Sequence, residues 1–87
     1  METEKLYYID PFIKDFPATV LSCEAGKNGF QVVLDCTAFY PEAGGQPADH
    51  GTLNDAKVTD VHEKGGVIFH TCDKPVETGQ MVTGRID

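Results

Sequence analysis

Turn-forming residues recur along this chain before any apolar stretch grows long, and this feature constrains the fold most. Apolar residues do not repeat at the three-and-four spacing of an amphipathic helix over any long window, and Pro or Gly interrupts most candidate stretches. The segment 30–36 instead alternates, with Phe30, Val32, Leu34 and Cys36 on one face. The chain is therefore expected to fold from short β-strands.

The turn signals divide the chain into about six or seven short strands. Asn28-Gly29 is a strong hairpin signal because both residues tolerate positive φ. Strands at this spacing are typical of a small barrel or sandwich. We expect an all-β fold, a small closed or partly open antiparallel barrel. The predicted strands cover residues 6–9, 18–24, 30–36, 51–53, 57–62, 67–72 and 81–86.

Length and charge limit the class of protein. The 87 residues suffice for one small domain, 1–87, and their net charge of −7 argues against a stand-alone nucleic-acid binder, which needs clustered Lys and Arg. No apolar run approaches the roughly 20 residues of a membrane span. The three cysteines, an odd number without a secretory signal, favour reduced thiols and a cytoplasmic location. We expect Cys23 and Cys36 to be small core residues.

The segment 37–51 interrupts this pattern of short hairpins, and an ordered loop of this length usually has a purpose. Gly44 and Gly45 allow positive φ or the close approach of another surface. Gln46 follows them, and its amide offers both a donor and an acceptor. Two interpretations stay open from these residues alone: a rigid loop that closes one end of the barrel, or a binding loop.

The order of residues in this loop resembles the glycine-rich motif of the alanyl-tRNA synthetase editing region and of the AlaX family of alanyl-tRNA editing proteins. Segments 5–10 and 79–87 are also similar to the first barrel of that family, so the resemblance covers nearly the whole chain. The family often has three consecutive glycines, and Ala43 replaces the first of them here. The residues that carry the resemblance are Thr37-Ala38-Phe39-Tyr40-Pro41-Glu42-Ala43-Gly44-Gly45-Gln46-Pro47-Ala48-Asp49-His50-Gly51.

The resemblance implies a trans-editing aminoacyl-tRNA hydrolase, which removes Ser or Gly from mischarged alanine tRNA. Members hold a zinc ion in a second, C-terminal domain through His-x-x-x-His and Cys-x-x-x-His pairs, which this sequence lacks. The chain is therefore expected to be the inactive N-terminal domain of a medium-length editor, with the mischarged tRNA and its own zinc domain as partners and no role for membranes or DNA. Its own Met1 favours a free-standing editor. Alternatives are a non-catalytic barrel module for tRNA or domain docking, or a fragment of alanyl-tRNA synthetase itself.

The resemblance also assigns site residues within the loop. It implies that Gln46 reaches the editing pocket, with Gly44, Gly45 and Thr37 as further substrate-binding positions. Loop support is expected first from Tyr40, Glu42 and Asp49. Asp49 or Thr37 could cap backbone amides inside the loop. The sequence predicts no catalytic or metal-binding residue in this chain.

His70 and Cys72 lie on one face of a predicted strand, a spacing that zinc ligands also use. A zinc site needs a second pair of ligands, and none stands nearby in the sequence. We therefore interpret His70 as a strand residue beside a buried thiol.

Overall fold

Six antiparallel strands close into a barrel in the computed structural model, which describes residues 2–87. The strand order around the barrel is β2-β3-β7-β6-β5-β8, and β1 and β4 form a separate parallel pair. The all-β, antiparallel barrel predicted from the sequence is confirmed. The strands are β1 (Glu4–Lys5), β2 (Asp15–Gly26), β3 (Gly29–Leu34), β4 (Cys36–Thr37), β5 (Gly51–Leu53), β6 (Ala56–Lys64), β7 (Val67–Cys72) and β8 (Met81–Ile86).

The barrel interior is filled by alternate side chains of the strands and by residues from the start of the long loop, among them Ala38 and Phe39. Phe39 is the largest of the fully buried side chains although it lies outside every strand. Its ring meets the Phe16 ring edge-on, with centroids 5.7 Å apart. Gly84 makes room for the Phe16 ring, which a Cβ at this position would overlap. A Cβ on Gly51 would overlap the Arg85 carbonyl and crowd the Phe39 ring. The loop is therefore rooted in the core.

The predicted strand at 6–9 is wrong, because Leu6–Tyr8 forms a 3-10 helix. The amides of Ile9 and Asp10 both donate to the Leu6 carbonyl, at 2.9 and 3.0 Å. A closed barrel offers no free edge to which a further strand could add. The two residues before the helix pair instead with β4.

The predicted strand at 30–36 is also wrong at its end, since pairing stops at Leu34 and resumes in β4. Asp35 causes the break by turning back onto β2. Its backbone amide donates to the Thr19 carbonyl at 3.0 Å, and its carboxylate accepts the Thr19 amide at 2.9 Å. This polar residue therefore redirects the chain toward the long loop.

The remaining predicted strands lie where the structure has strands, although two of the predicted ranges are too short. The strands predicted at 51–53, 67–72 and 81–86 match β5, β7 and β8, whereas β2 and β6 extend beyond the predicted bounds. At the β2–β3 hairpin, positive φ occurs at Gly29 and not at Asn28. Cys23 and Cys36, which we expected in the core, are only half-buried beside it, whereas Cys72 is a core residue. The three thiols are free. No helix within residues 2–87 has the length and apolar character needed to cross a membrane.

Candidate functional site

The middle of the long loop folds back on itself into a hairpin-like projection, residues 40–49, which we call the glycine finger. Its base is closed by two reciprocal bonds. The Tyr40 amide donates to Asp49 Oδ2 at 2.9 Å, and the Asp49 amide donates to the Tyr40 carbonyl at 3.0 Å. The predicted capping of a loop amide by Asp49 is confirmed. The carboxylate and the backbone amide of Asp49 therefore hold both ends of the finger together.

A two-residue turn forms the tip of the finger. The Gln46 amide donates to the Ala43 carbonyl at 2.8 Å. Gly44 and Gly45 between them have φ of 54° and 87°, and positive φ at both central positions is the signature of a type I′ turn. Ala43 is outside the left-handed region, so it tolerates a side chain. A Cβ on either glycine would meet nothing within 4 Å. The two glycines therefore serve the turn in this structure and not a close approach.

The predicted ligand-binding residues separate into an exposed group and a buried one. Gly44, Gly45 and Gln46 are exposed at the tip, and Glu42 is exposed beside them. The backbone amide of Glu42 donates to the Val61 carbonyl of β6 at 3.0 Å, which fixes one side of the finger to the barrel. The finger contains no Lys or Arg. Its tip can therefore offer an amide side chain and backbone groups, but no cation for a phosphate.

Thr37 belongs to the buried group and faces the interior of the barrel. It is fully buried, and its Oγ1 lies 2.8 Å from His70 Nε2. The same oxygen accepts the Phe39 amide at 3.0 Å, as the capping prediction for Thr37 requires. Both partners of this hydroxyl are internal. The structure therefore places Thr37 with the residues that support the loop.

His70 connects β7 to the root of the finger. It is fully buried, its Nδ1 lies 2.9 Å from the Val32 carbonyl, and its ring meets Phe39 edge-on with centroids 5.5 Å apart. Burial lowers the pKa of His70 to about 4, so the ring is neutral at pH 7. The sequence did not predict the link to Thr37. The only indication in the sequence was the alternation of residues along the strand, which places His70 on the same face as Ile68 and Cys72.

Tyr40 anchors the outer side of the finger base. Its ring lies against Tyr7 of the 3-10 helix, with centroids 4.7 Å apart. Burial raises the pKa of the Tyr7 hydroxyl to about 12. A cavity of about 320 Å³ lies beside these rings, and its walls include Phe12, Tyr40 and Asp49. The support role predicted for Tyr40 thus has a physical basis in ring packing.

The side chains that the structure describes do not fit a zinc site. Within residues 2–87, no three side chains of His, Cys, Asp or Glu come together in a geometry that could hold a metal. His70 was the best metal-ligand candidate in the sequence, and both of its ring nitrogens already have partners inside the barrel. His70 therefore has no ring nitrogen free to bind a metal.

Comparison with known proteins identifies the family. The family model for tRNA synthetases class II (A) matches residues 9–87. The chain belongs to this family. It is 49% identical over 94 residues to an alanine–tRNA ligase of Natronomonas pharaonis, 46% over 90 residues to that of Halorubrum lacusprofundi, and 49% over 92 residues to that of Pyrococcus abyssi.

Each of these three matches covers 99% of the chain but only 10% of the ligase. The chain thus spans about a tenth of the length of these relatives. They favour the alternative of a synthetase fragment over the free-standing editor that we expected from the sequence.

Proposed function

We propose that this chain is the barrel segment of an alanyl-tRNA synthetase editing region, and that it helps to hydrolyse the ester of alanine tRNA mischarged with Ser or Gly. The observation that carries the proposal is the glycine finger. Its polar tip is exposed, whereas its root is fixed in the core by Phe39 and Thr37. A rigid projection with an open end is suited to completing a pocket formed with another part of the parent protein.

Gln46 is the residue of the tip with the chemistry to contact the substrate. Its side-chain amide can accept from a ribose hydroxyl or an α-amino group and can donate to an ester carbonyl. The absence of Lys and Arg from the finger suits a contact with these groups better than one with a phosphate. We therefore assign Gln46 to binding at the acylated 3′ end, with Gly44 and Gly45 setting its direction.

Zinc and a C-terminal domain that holds it are further parts of this proposal, and their ligands would lie outside the present chain. A bound zinc ion would polarise the ester carbonyl or a water molecule. The contribution of the present chain is to bind and orient the acylated end through the finger. Isolated residues 1–87 are expected to show no hydrolysis.

The test replaces Gln46 by Ala in the parent protein and follows release of serine from seryl-tRNA specific for alanine. Loss of an oriented hydrogen bond at the reacting end should lower kcat/KM about ten- to a hundredfold. Gln80→Ala is the matched control, because Gln80 is an exposed glutamine near the start of β8 and outside the finger. Equal deacylation by Gln46→Ala and the unaltered protein would remove Gln46 from the pocket. No deacylation by the unaltered, zinc-loaded parent would overturn the proposed function.

A second candidate is a non-catalytic barrel that binds tRNA directly. Titration of the isolated chain with tRNA separates the two functions. With a net charge of −7, we expect weak or undetectable binding. Tight binding that weakens steeply with added salt would favour the binding module.

A further inference from the structure

The hydrogen bonds around His70 run in a single direction from the loop to the barrel wall. The Val32 carbonyl can only accept, so His70 Nδ1 must carry the proton of this 2.9 Å bond. The neutral ring then accepts at Nε2, and the Thr37 hydroxyl donates to it across 2.8 Å. Thr37 Oγ1 in turn accepts the Phe39 amide at 3.0 Å. Only the Nδ1–H tautomer of the neutral ring satisfies all these groups in this arrangement.

This chain of bonds joins two distant parts of the sequence. Thr37 ends β4 at the entrance to the long loop, and His70 lies in β7, 33 positions further on. Phe39, two residues into the loop, is held by the Thr37 hydroxyl through its amide and by the His70 ring through its own ring. One imidazole therefore contacts both Thr37 and Phe39, the two residues that hold the backbone just before the glycine finger begins.

The position of the tip depends on this root and on the bond from the Glu42 amide to the Val61 carbonyl, because nothing packs against the tip itself. A Cβ on Gly44 or Gly45 would meet no atom within 4 Å. Three residues separate Tyr40 at the base from Gly44 at the tip, and one of them, Glu42, is bonded through its amide to the Val61 carbonyl of β6. A displacement of about 1 Å at a reacting centre can lower a rate by ~100-fold.

We propose that His70 is a positioning residue for the glycine finger, acting through the Thr37 hydroxyl to hold the tip in the orientation that the reaction requires. This inference rests on the editing function proposed above, because the tip orientation matters only where it meets a substrate. It assigns His70 no contact with substrate, metal or reacting atoms. The competing explanation is that His70 merely fills the core.

The first measurement uses the unaltered chain and no substitution. Nitrogen-15 chemical shifts of the His70 ring at pH 7 report which nitrogen carries the proton. We expect the Nδ1–H form, with Nε2 as an acceptor. An Nε2–H tautomer or a charged ring would break the direction of the bonds and overturn the proposal.

The second measurement compares Thr37→Val, which keeps the shape but removes the hydroxyl, with Thr37→Ser, which retains it. Val82→Ala is the control for lost core stability, because β8 lies opposite β7 in the barrel order and Val82 is buried. We expect the Gly44 and Gly45 amide resonances to shift in Thr37→Val and to stay in place in Thr37→Ser and Val82→Ala.

In the parent protein, Thr37→Val should lower kcat for deacylation about ten- to a hundredfold while KM changes less than about twofold. Thr37→Ser should restore most of the rate, and Val82→Ala should retain it, with each variant assayed well below its own melting temperature. Two results would overturn the role of His70. One is a loss of kcat in Val82→Ala as large as that in Thr37→Val. The other is an active parent protein in which the Gly44 and Gly45 resonances do not move in Thr37→Val. An unaltered parent that never deacylates would instead overturn the proposed function, and the tip resonances could still be interpreted.

Discussion

Gly84 and Phe16 face each other as a cross-strand pair of β8 and β2. The Phe16 ring occupies the space that a Cβ on Gly84 would need. The same ring packs against Phe39 at the root of the finger. The missing side chain of Gly84 thus lets one aromatic ring close the barrel wall and support the loop.

Replacing Gly84 by Ala should therefore destabilise the barrel by overpacking, by about 1–3 kcal/mol. Urea unfolding monitored by circular dichroism measures the change. Thr83→Ala is the control, since Thr83 is exposed in the same strand, and its effect should stay within about 0.5 kcal/mol. Phe16→Leu combined with Gly84→Ala should regain part of the loss. Equal stability of Gly84→Ala and Thr83→Ala would show that the ring moves aside without cost.

Among the elements, the glycine finger keeps its shape largely through Asp49. The carboxylate accepts the Tyr40 amide and the Asp49 amide closes the same pair from the other side. Asp49→Ala removes the acceptor and should open the base at a cost of about 1 kcal/mol. Hydrogen exchange of the Tyr40 amide should then speed up by about fivefold. Asp49→Asn keeps a side-chain oxygen and should exchange nearly as the unaltered chain. If the Tyr40 amide exchanges as slowly in Asp49→Ala as in the unaltered chain, the bond from the Asp49 amide to the Tyr40 carbonyl is sufficient to close the base.

The strands that could be predicted from the sequence are those whose buried faces alternate with exposed ones. In β3 and β7 this alternation places Val32, Leu34 and Ile68 in the core. The 3-10 helix was missed because Leu6, Tyr7 and Tyr8 favour a strand locally, and only barrel closure denies them a partner. The break at Asp35 was missed because its bonds to Thr19 connect residues 16 positions apart.

The local features of the candidate site could be predicted from the sequence, but its contact with the barrel interior could not. The bounds of the loop and its glycine turn follow from local composition, and the capping by Asp49 and Thr37 follows from the side-chain chemistry of these residues. The bond from Thr37 to His70 does not, because it spans 33 positions. Alternation could place His70 inside the barrel, but not beside the loop. Pairing between elements distant in the chain is the information that local patterns lack.

At the scale of the whole molecule, the net charge of −7 and the finger without cations agree with each other. Neither suits contact with the phosphates of a tRNA. Under the proposed function, those contacts belong to other parts of a parent protein, in line with relatives of which this chain covers 10%. The barrel then contributes orientation at the acylated end and little of the binding free energy.

The stability of the whole barrel should depend on pH through His70. Its pKa of about 4 lies below the ordinary 6.5, chiefly because burial disfavours the charged ring. The unfolded chain therefore binds a proton at this residue below pH 6.5, whereas the folded chain does so only near pH 4. The unfolded state holds more protons in this window, so the stabilising contribution is full above pH 6.5 and is lost as the pH falls toward 4. The expected loss is about 3 kcal/mol.

Urea unfolding at pH 7, 6, 5 and 4.5 measures this loss, and two variants isolate its source. His70→Gln removes the titrating ring, so its stability should be lower at pH 7 but should fall less steeply over the window. His50→Gln removes an exposed histidine and should leave the slope unchanged. The carboxylates are the same in all three proteins, so the difference between the slopes of His70→Gln and the unaltered chain reports the ring alone. Parallel slopes for His70→Gln and the unaltered chain would mean that the folded barrel accepts a charged ring at position 70, and the bond direction from Thr37 would then not constrain the finger.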